Sequence, residues 1–466
     1  MARYDPRVSD LTPMGVSETV RRTTSGELSA TEVTEAALAA IAARDGELNA
    51  FSVVLGDRAR AEAAALDASD SARGPLYGVP IAIKEEIDVA GCVTTYGGNA
   101  NRVPVAADAE VVRRLRAAGA VVVGKTCMPE FGAYPYTESV ARGVTRNPWD
   151  TRHNPGGSSG GTAAAVASGM VPVGMGGDGG GSIRVPAACC GLFGLKPQRG
   201  RVSTAPTPHL WWALGTVGPL TRSVLDSAIV YDVIRGNVAT DLYRAGEAPS
   251  FVEAAGREPG RLRIGWATKP VTRGVKPDPL HVRAVTETAR LLSDLGHDVV
   301  EVDTHYPDPT YVFVPQMFAG VRTEADGMDD FDLLERRTRE TYRLGSWVRP
   351  RVLDWALRQT EKVSAKANRV FEHCDVLLTP TIAHRPPKVG VITGLGTVRS
   401  SLRSVPAVTY AALWNVAGNP AASVPCGLAP DGLPTAVQLV GRTDDEATLF
   451  SLSAQLERAR PWPLVT

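Results

Sequence analysis

Apolar residues along the chain recur first at helical spacing and then in short unbroken runs. The stretch Ser29-Ala-Thr-Glu32 matches a capping box, which predicts that a helix begins there. The apolar positions that follow lie on one face of this helix: Val33, Ala36, Ala37, Ala40 and Ile41. Asp108 predicts the start of a second helix, which ends at Gly119, and residues 120–123 then predict a buried strand.

The same alternation continues in the second half of the chain. We predict strands at 262–266, 297–302, 375–378 and 436–440, and helices at 281–295 and 445–456. This alternation indicates an α/β fold with a largely buried sheet. No internal repeat or low-complexity linker divides the chain. Residues 305–372 predict helices that lie over the sheet, either as a cover on a substrate pocket or as ordinary surface helices.

The composition narrows the class of protein. The 466 residues include 50 basic and 50 acidic ones, so a formal charge of zero gives no reason to expect nucleic acid or an anionic membrane as a partner. The six cysteines form no C-x-x-C pair, so we expect reduced thiols, no metal site and no disulfide framework. No apolar stretch marks a secretory signal, and no uncharged apolar run reaches the ~18 residues of a membrane span. We therefore expect a cytoplasmic protein.

Glycine is concentrated between residues 156 and 200. Such a cluster indicates close backbone approach, positive φ or exposed N–H groups. Gly174, Gly176 and Gly179 fit the G-x-G-x-x-G pattern of a dinucleotide site, which should open a helix and precede an acidic residue by ~20 positions. Here more glycines and a proline follow, and residues 195–203 contain no acid, which argues against a dinucleotide site.

The nucleophile elbow of an α/β-hydrolase is a second interpretation, since Gly156-x-Ser158-x-Gly160 fits G-x-S-x-G. The acid and the histidine that this mechanism needs later in the chain could be Asp375 and His384. The elbow also needs a strand that runs directly into the serine, whereas residues 150–155 have the composition of a turn.

A third interpretation combines Ser158 and Ser182 with Lys84. A serine hydroxyl is a weak nucleophile that needs a neighbouring base. Lysine can be that base only in its neutral form, and burial disfavours the charged form. Lys84 follows the apolar run 80–83, which could supply the burial, although an ordinary exposed lysine after a strand would have the same pattern.

Long motifs around these three residues match one enzyme family. The matching stretches are 78–84, 145–150, 155–161, 177–184, 191–197, 419–425 and 432–441. On these motifs the chain resembles the amidase signature family, in particular stand-alone bacterial amidases of the aryl-acylamidase and cyclic-oligoamide hydrolase kind. The resemblance implies one domain over 1–466 with an α/β fold, in which a central mixed, twisted β-sheet is flanked by helices on both faces.

The resemblance also implies an activity. It implies hydrolysis of a small-molecule amide to a carboxylate and an amine or ammonia through an acyl-enzyme, without a cofactor. The substrate could be an aryl or aliphatic amide, a carbamate or an oligoamide, and the protein could be a homodimer. The alternative within the family is the glutaminase-like A subunit of a tRNA-dependent amidotransferase. The zero net charge and the lack of Arg-Gln-Pro after Ser182-Ile183 count against that alternative.

Position by position, the resemblance implies that Ser182 is the nucleophile, Ser158 the bridging serine and Lys84 the base. It implies a cis peptide between Gly157 and Ser158. The implied oxyanion hole consists of four backbone N–H groups, those of Gly179, Gly180, Gly181 and Ser182. Supporting roles are implied for Asp178, Arg184 and Ser159, and places in the substrate pocket for Met128 and Tyr136.

The chain departs from the family pattern at positions beside these motifs. Gly179 stands where threonine is commoner, Glu85-Glu86 where Asp-Asn is common, and Cys127 where asparagine often stands. None of these departures replaces a catalytic side chain. We expect Gly179 and Cys127 to alter the wall of the pocket.

Overall fold

The computed structural model describes residues 14–70 and 72–465, and a large β-sheet forms the centre of this part of the chain. Its strands are β1 (Phe51–Val54), β2 (Pro80–Lys84), β3 (Val121–Thr126), β4 (Glu138–Ser139), β5 (Gly143–Val144), β6 (Val173–Asp178), β7 (Phe193–Lys196), β8 (Thr216–Thr221), β9 (Arg263–Trp266), β10 (Asp298–Glu301), β11 (Val376–Pro380), β12 (Ala421–Leu428) and β13 (Pro434–Gly441). The central sheet has the strand order β1-β3-β2-β6-β8-β7-β12-β13-β11-β9-β10, and β4 pairs with β5 outside it.

Helices lie in most of the connections between these strands. They are α1 (Val16–Thr24), α2 (Ala30–Leu48), α3 (Gly56–Asp67), α4 (Glu110–Ala117), α5 (Gly160–Ala167), α6 (Arg184–Cys190), α7 (Val224–Ile234), α8 (Phe251–Ala255), α9 (Pro279–Asp294), α10 (Thr310–Asp326), α11 (Arg336–Leu344), α12 (Pro350–Ala367), α13 (Thr397–Val408), α14 (Ala412–Ala417) and α15 (Glu446–Ala459). Among the described residues, none of these helices has the length and apolarity needed to cross a membrane.

The central sheet is mixed. Strand β2 lies between β3 and β6 and is parallel to both, and β9 is parallel to its neighbours β10 and β11. The other neighbours in this sheet are antiparallel. Parallel neighbours need a long crossover, and α4 and α5 lie in the crossovers from β2 to β3 and from β3 to β6.

Both faces of the sheet are buried under helices. On β2, Ile81 and Ile83 belong to one hydrophobic cluster and Ala82 to another, because successive residues of a strand point to opposite faces. Helices α4, α7, α9 and α15 contribute to the first cluster, and α2, α5 and α6 to the second. The predicted fold, a mixed sheet with helices on both faces, is confirmed.

Several predicted element boundaries agree closely with the structure. Ser29 caps α2, since its side chain accepts the N–H of Glu32 and the Glu32 carboxylate accepts the N–H of Ser29. The strands and helices predicted in the second half of the chain are present, each within a few residues of its expected ends. Helix α9 begins two residues early, because Asp278 accepts the N–H of Leu280 and a proline, Pro279, suits the first turn.

The prediction that Asp108 starts a helix is wrong in detail. Helix α4 begins at Glu110, and no side chain caps its N-terminus. The carboxylate of Asp108 instead accepts the N–H of Ala90 at 2.8 Å and pairs with Arg116 at 3.0 Å. Asp108 therefore ties the turn after β2 to the last turn of α4.

Candidate active site

Lys84 is the last residue of β2, a strand that is buried along its whole length. The lysine is 1% exposed, and its Nζ donates a hydrogen bond to Ser158 Oγ over 2.7 Å. The same Nζ lies 3.0 Å from Glu86 Oε1. The amino group of Lys84 therefore lies in the core of the protein, because it follows the apolar residues of β2. There it contacts the Ser158 hydroxyl and the Glu86 carboxylate.

Ser158 lies in a tight loop two residues before α5. The peptide bond between Gly157 and Ser158 is cis. Residue 157 has no room for a side chain, because a Cβ there would lie 2.8 Å from the backbone nitrogen of Tyr136. Asn154 holds the start of the loop, since its Oδ1 accepts the N–H of Gly156 at 2.9 Å. The glycines of this motif thus serve close packing, and Ser158 itself is 2% exposed.

Ser182 lies at the end of the segment 177–182, which we call the glycine loop and which joins β6 to α6. The N–H of Ser159 donates to the Ser182 carbonyl at 3.3 Å, and the Ser159 hydroxyl donates to the Gly177 carbonyl at 3.2 Å. Ser159 therefore holds the loop of Ser158 against the glycine loop. Ser182 is partly exposed while Ser158 and Ser159 are buried, so Ser182 is the serine of these three that a substrate can reach.

The backbone donors of the glycine loop differ from the sequence expectation at one position. The N–H of Gly181 donates to Asp178 Oδ1 over 2.7 Å, so this group is already engaged and does not face an oxyanion. The N–H groups of Gly179, Gly180 and Ser182 have no hydrogen-bond acceptor within the described ranges. Of the four N–H groups predicted to form an oxyanion hole, these three are therefore the ones without an acceptor in the described part of the chain.

A buried ion pair fixes the glycine loop. Asp178 and Arg184 are both 0% exposed, and their side chains make two parallel contacts of 3.0 Å. Asn415 adds a hydrogen bond to Asp178 Oδ1 at 2.8 Å, and Gln438 accepts from Arg184 at 2.8 Å. Burial opposes the ionisation of Asp178, but the charge and hydrogen bonds of Arg184 outweigh it and hold the pKa of this carboxyl below its ordinary value.

The two acidic residues after Lys84 have different surroundings. Glu85 is 1% exposed and accepts a hydrogen bond from Arg142 at 3.0 Å and another from Thr95, so it belongs to a separate polar cluster. Glu86 contacts Lys84. Sequence reasoning noted both as departures from the family pattern but assigned no role to either, because only the structure distinguishes the one that meets the lysine.

The two expected pocket residues lie in different places. A Cβ added to Gly132 would lie 3.0 Å from Ser158 Oγ and 3.4 Å from Met128 Cε, so Met128 lies near Ser158. Tyr136 packs in the core, where it is 1% exposed and its hydroxyl donates to the Arg403 carbonyl at 2.6 Å. This packing favours a structural role for Tyr136 over a place in the substrate pocket.

Two aromatic side chains that the sequence did not single out cover the glycine loop. A Cβ on Gly179 would lie 3.2 Å from Trp211, and a Cβ on Gly180 would lie 3.1 Å from the ring of Phe313. Trp211 comes from the loop before β8, and Phe313 from α10 in segment 305–372. The absence of side chains at Gly179 and Gly180 therefore lets these rings lie directly over the loop.

The residues of the elbow interpretation do not come together. Asp375 pairs with Arg263 at 2.9 Å and with Arg442 at 2.6 Å. His384 Nδ1 contacts the Arg385 carbonyl at 2.6 Å, and its ring stacks on Tyr136. The acid and the histidine of that mechanism thus have other partners. Within residues 14–70 and 72–465, no group of three or more His, Cys, Asp or Glu side chains is arranged to hold a metal ion.

Comparison with known proteins places the chain in a family. The family model named Amidase matches residues 32–450. The chain belongs to the amidase signature family. The protein AmiB2 of Mycobacterium tuberculosis is 48% identical over 461 residues, which cover 97% of this chain and 98% of that protein.

Solved structures of this family have the same fold. A structure of 6-aminohexanoate cyclic dimer hydrolase complexed with substrate matches with a TM-score of 0.91 and 32% identity, covering 97% of this chain and 98% of that one. A bacterial aryl acylamidase of the amidase signature family matches with a TM-score of 0.86 and 28% identity, covering 97% of each chain. The protein is therefore a hydrolase of carboxylic C–N amide bonds, and these relatives do not favour the amidotransferase subunit.

Proposed function

We propose that the protein hydrolyses a small-molecule amide through an acyl-enzyme on Ser182, with Ser158 and Lys84 as its proton relay. The observation that carries this proposal is the buried hydrogen bond of 2.7 Å from Lys84 Nζ to Ser158 Oγ. The contact between Ser159 and the Ser182 carbonyl supports it, because it keeps the two serine-bearing loops together. General acid–base groups act over such hydrogen-bond distances.

Acylation begins when neutral Lys84 accepts the proton of Ser158 while Ser158 accepts that of Ser182. The Oγ of Ser182 then bonds to the carbonyl carbon, and the carbonyl oxygen becomes an oxyanion. The free N–H groups of Gly179, Gly180 and Ser182 stabilise this oxyanion, and one such donor is typically worth about 3 kcal/mol. The C–N bond breaks, and the amine leaves with the proton that Lys84 returns through Ser158.

Deacylation uses the same groups. Water attacks the acyl carbon and gives its proton to the relay of Ser158 and Lys84, which returns it to Ser182 as the ester bond breaks. The products are the carboxylic acid and the free enzyme. No cofactor takes part in the proposed sequence.

Active-site labelling tests the nucleophile. A serine-directed fluorophosphonate should add one label at Ser182, located by peptide mass spectrometry. The Ser182→Ala variant serves as the control and should take no label. A label on Ser158 or Ser159 in the unsubstituted protein would contradict the assignment and revive the elbow interpretation.

Several further predictions belong to this proposal. We propose that 1–466 functions as one domain and that segment 305–372 covers the substrate, which the contact of Phe313 with the glycine loop supports. All six cysteines are free thiols, which supports a reducing, cytoplasmic location. A homodimer stays a prediction. The purified chain should hydrolyse aryl, aliphatic or oligomeric amides alone, whereas a need for a partner subunit would point to an amidotransferase.

A further inference from the structure

A cavity of about 100 Å³ lies beside the candidate active site. Its wall includes Glu86, which contacts Lys84, and Trp211, which covers the glycine loop. The cavity is therefore next to both the proposed base and the proposed oxyanion donors. Engineered apolar cavities of about 150 Å³ bind benzene, so this volume suits a smaller group such as a short chain with a polar head.

The ionisable side chains around this cavity are mostly acidic. Three carboxyl side chains line it, those of Glu86, Asp88 and Glu324, and no lysine or arginine of the described residues does. Asp88 Oδ1 accepts a hydrogen bond from the Thr94 hydroxyl at 2.6 Å, so this oxygen already has a donor. Lys84 contacts Glu86 but does not line the cavity, and it belongs to the proposed proton relay. The cavity thus has more acidic than basic side chains.

The carboxyl group of Glu324 is only partly hydrogen-bonded. Its Oε1 accepts the indole N–H of Trp211 at 2.9 Å, while its Oε2 is buried and has no hydrogen-bond partner among the described residues. A buried carboxyl oxygen without a partner costs free energy unless a ligand donates to it. Burial, strengthened by the negative charge of Glu86, raises the pKa of Glu324 well above its ordinary value, so a cation beside it would favour its ionised form.

Aromatic rings complete the site. Tyr96 and Trp211 both line the cavity, and the faces of such rings attract ammonium ions. The hydrogen bond to Glu324 fixes the orientation of the Trp211 indole. A primary ammonium has three N–H donors, which match the unpaired oxygen of Glu324 and the carboxylate of Glu86.

We propose that this cavity binds a protonated primary amine of the substrate, so that the preferred substrates are amides with an amino group a short alkyl chain away from the scissile bond. The substrate preference in this inference rests on the proposed function, whereas the binding of the amine can be tested without it. Neither the charge of the whole chain nor the triad motifs point to such a substrate, because Glu324 lies 238 positions beyond Glu86 in the sequence.

Binding can be measured without turnover. In the Ser182→Ala variant, titration calorimetry at pH 7 should find n-butylammonium bound at least tenfold more tightly than 1-butanol, its neutral counterpart. Adding Glu324→Gln should lower this ratio at least tenfold. Glu361→Gln, which removes an exposed carboxylate on α12, is the matched control and should leave the ratio unchanged. Equal affinity for the two ligands, or a ratio that Glu324→Gln leaves unchanged, would overturn the proposal.

Substrate pairs on the unsubstituted protein give a second test that needs no variant at position 324. We would compare kcat/KM for 5-aminopentanoyl and hexanoyl anilides, and for N-acetyl derivatives of 1,5-diaminopentane and n-hexylamine, in which a methyl group replaces the ammonium. A preference of tenfold or more for the amino member of either pair supports the inference. No preference in both pairs overturns it, while the absence of all hydrolysis together with tight ammonium binding refutes the proposed function and leaves the site standing.

Discussion

Replacing Lys84 by alanine separates the proposed relay from every histidine-based mechanism. The variant removes the group that accepts the proton of Ser158 and returns it to the leaving amine. General acid–base groups typically contribute 10²–10⁴-fold to a rate. Because Lys84 would act in both directions, we expect turnover to fall by about a thousandfold or more, which corresponds to roughly 4 kcal/mol of barrier. Lys84→Arg should be no better, since a guanidinium stays protonated.

The loss of turnover must be distinguished from a loss of folding. Lys84→Ala leaves the carboxylate of Glu86, which is 11% exposed, without the cation that lies 3.0 Å from it. Breaking a buried ion pair on one side costs about 3–5 kcal/mol of stability. Adding Glu86→Gln removes the stranded charge, so the double variant should regain stability in a urea titration. It should not regain turnover, because the proton acceptor is still missing.

Lys125 offers a matched control on the neighbouring strand. It is 0% exposed, lies opposite Ile83 in the register of β2 and β3, and donates to the Val93 carbonyl at 3.4 Å. Lys125→Ala removes a buried lysine of the same kind but leaves the contact between Lys84 and Ser158. Initial rates of anilide hydrolysis per folded molecule should stay within a few-fold. The reasoning is refuted if Lys84→Ala retains near-normal turnover, or if Lys125→Ala loses as much as Lys84→Ala does.

Three further predictions follow from the same structure. Hydroxylamine should divert the acyl group to a hydroxamate, detected colorimetrically, and the absence of hydroxamate at every concentration would favour direct attack by water. Asp178→Asn leaves the buried charge of Arg184 without its anion and should lower the free energy of unfolding by about 3–5 kcal/mol; a loss below about 1 kcal/mol would contradict the role of this pair. Burial raises the pKa of Glu130 from 4.5 to about 7, so its contribution to stability is complete below pH 4.5 and is lost as the pH rises through 7. Glu130→Gln should therefore flatten the decline of stability between pH 5 and 8 by up to about 3 kcal/mol, and an unchanged decline in urea titrations would refute this.

The order of helices and strands could be predicted because most strands are unbroken apolar runs between amphipathic segments. The ends of the strands could not be predicted in this way, and β3 illustrates the reason. The apolar run stops at residue 123, but the strand continues to Thr126. Lys125 and Thr126 stay buried because polar groups meet them, including the hydrogen bond between the hydroxyls of Thr126 and Thr162 at 2.7 Å. The pattern of hydrophobic residues does not reveal a polar residue that is buried because it has a hydrogen-bond partner.

The candidate site divides in the same way. Lys84, Ser158 and Ser182 could be identified from local motifs, because glycines and serines at fixed spacing carry the signal. The hydrogen-bond partners of Arg184 could not be identified from the sequence, since Asn415 and Gln438 lie 231 and 254 positions away from it. The hydrogen bond from the Gly181 N–H to Asp178 could not be predicted either, because the motif alone does not define the orientation of a peptide group.

Glu86 links the two parts of the site. Its carboxylate contacts Lys84 and also lines the acidic cavity. An ammonium bound against Glu86 would share this carboxylate with Lys84. A substitution at Glu86 would therefore change both the proposed amine site and the surroundings of the proposed base, whereas Glu324→Gln leaves the contact between Glu86 and Lys84 in place.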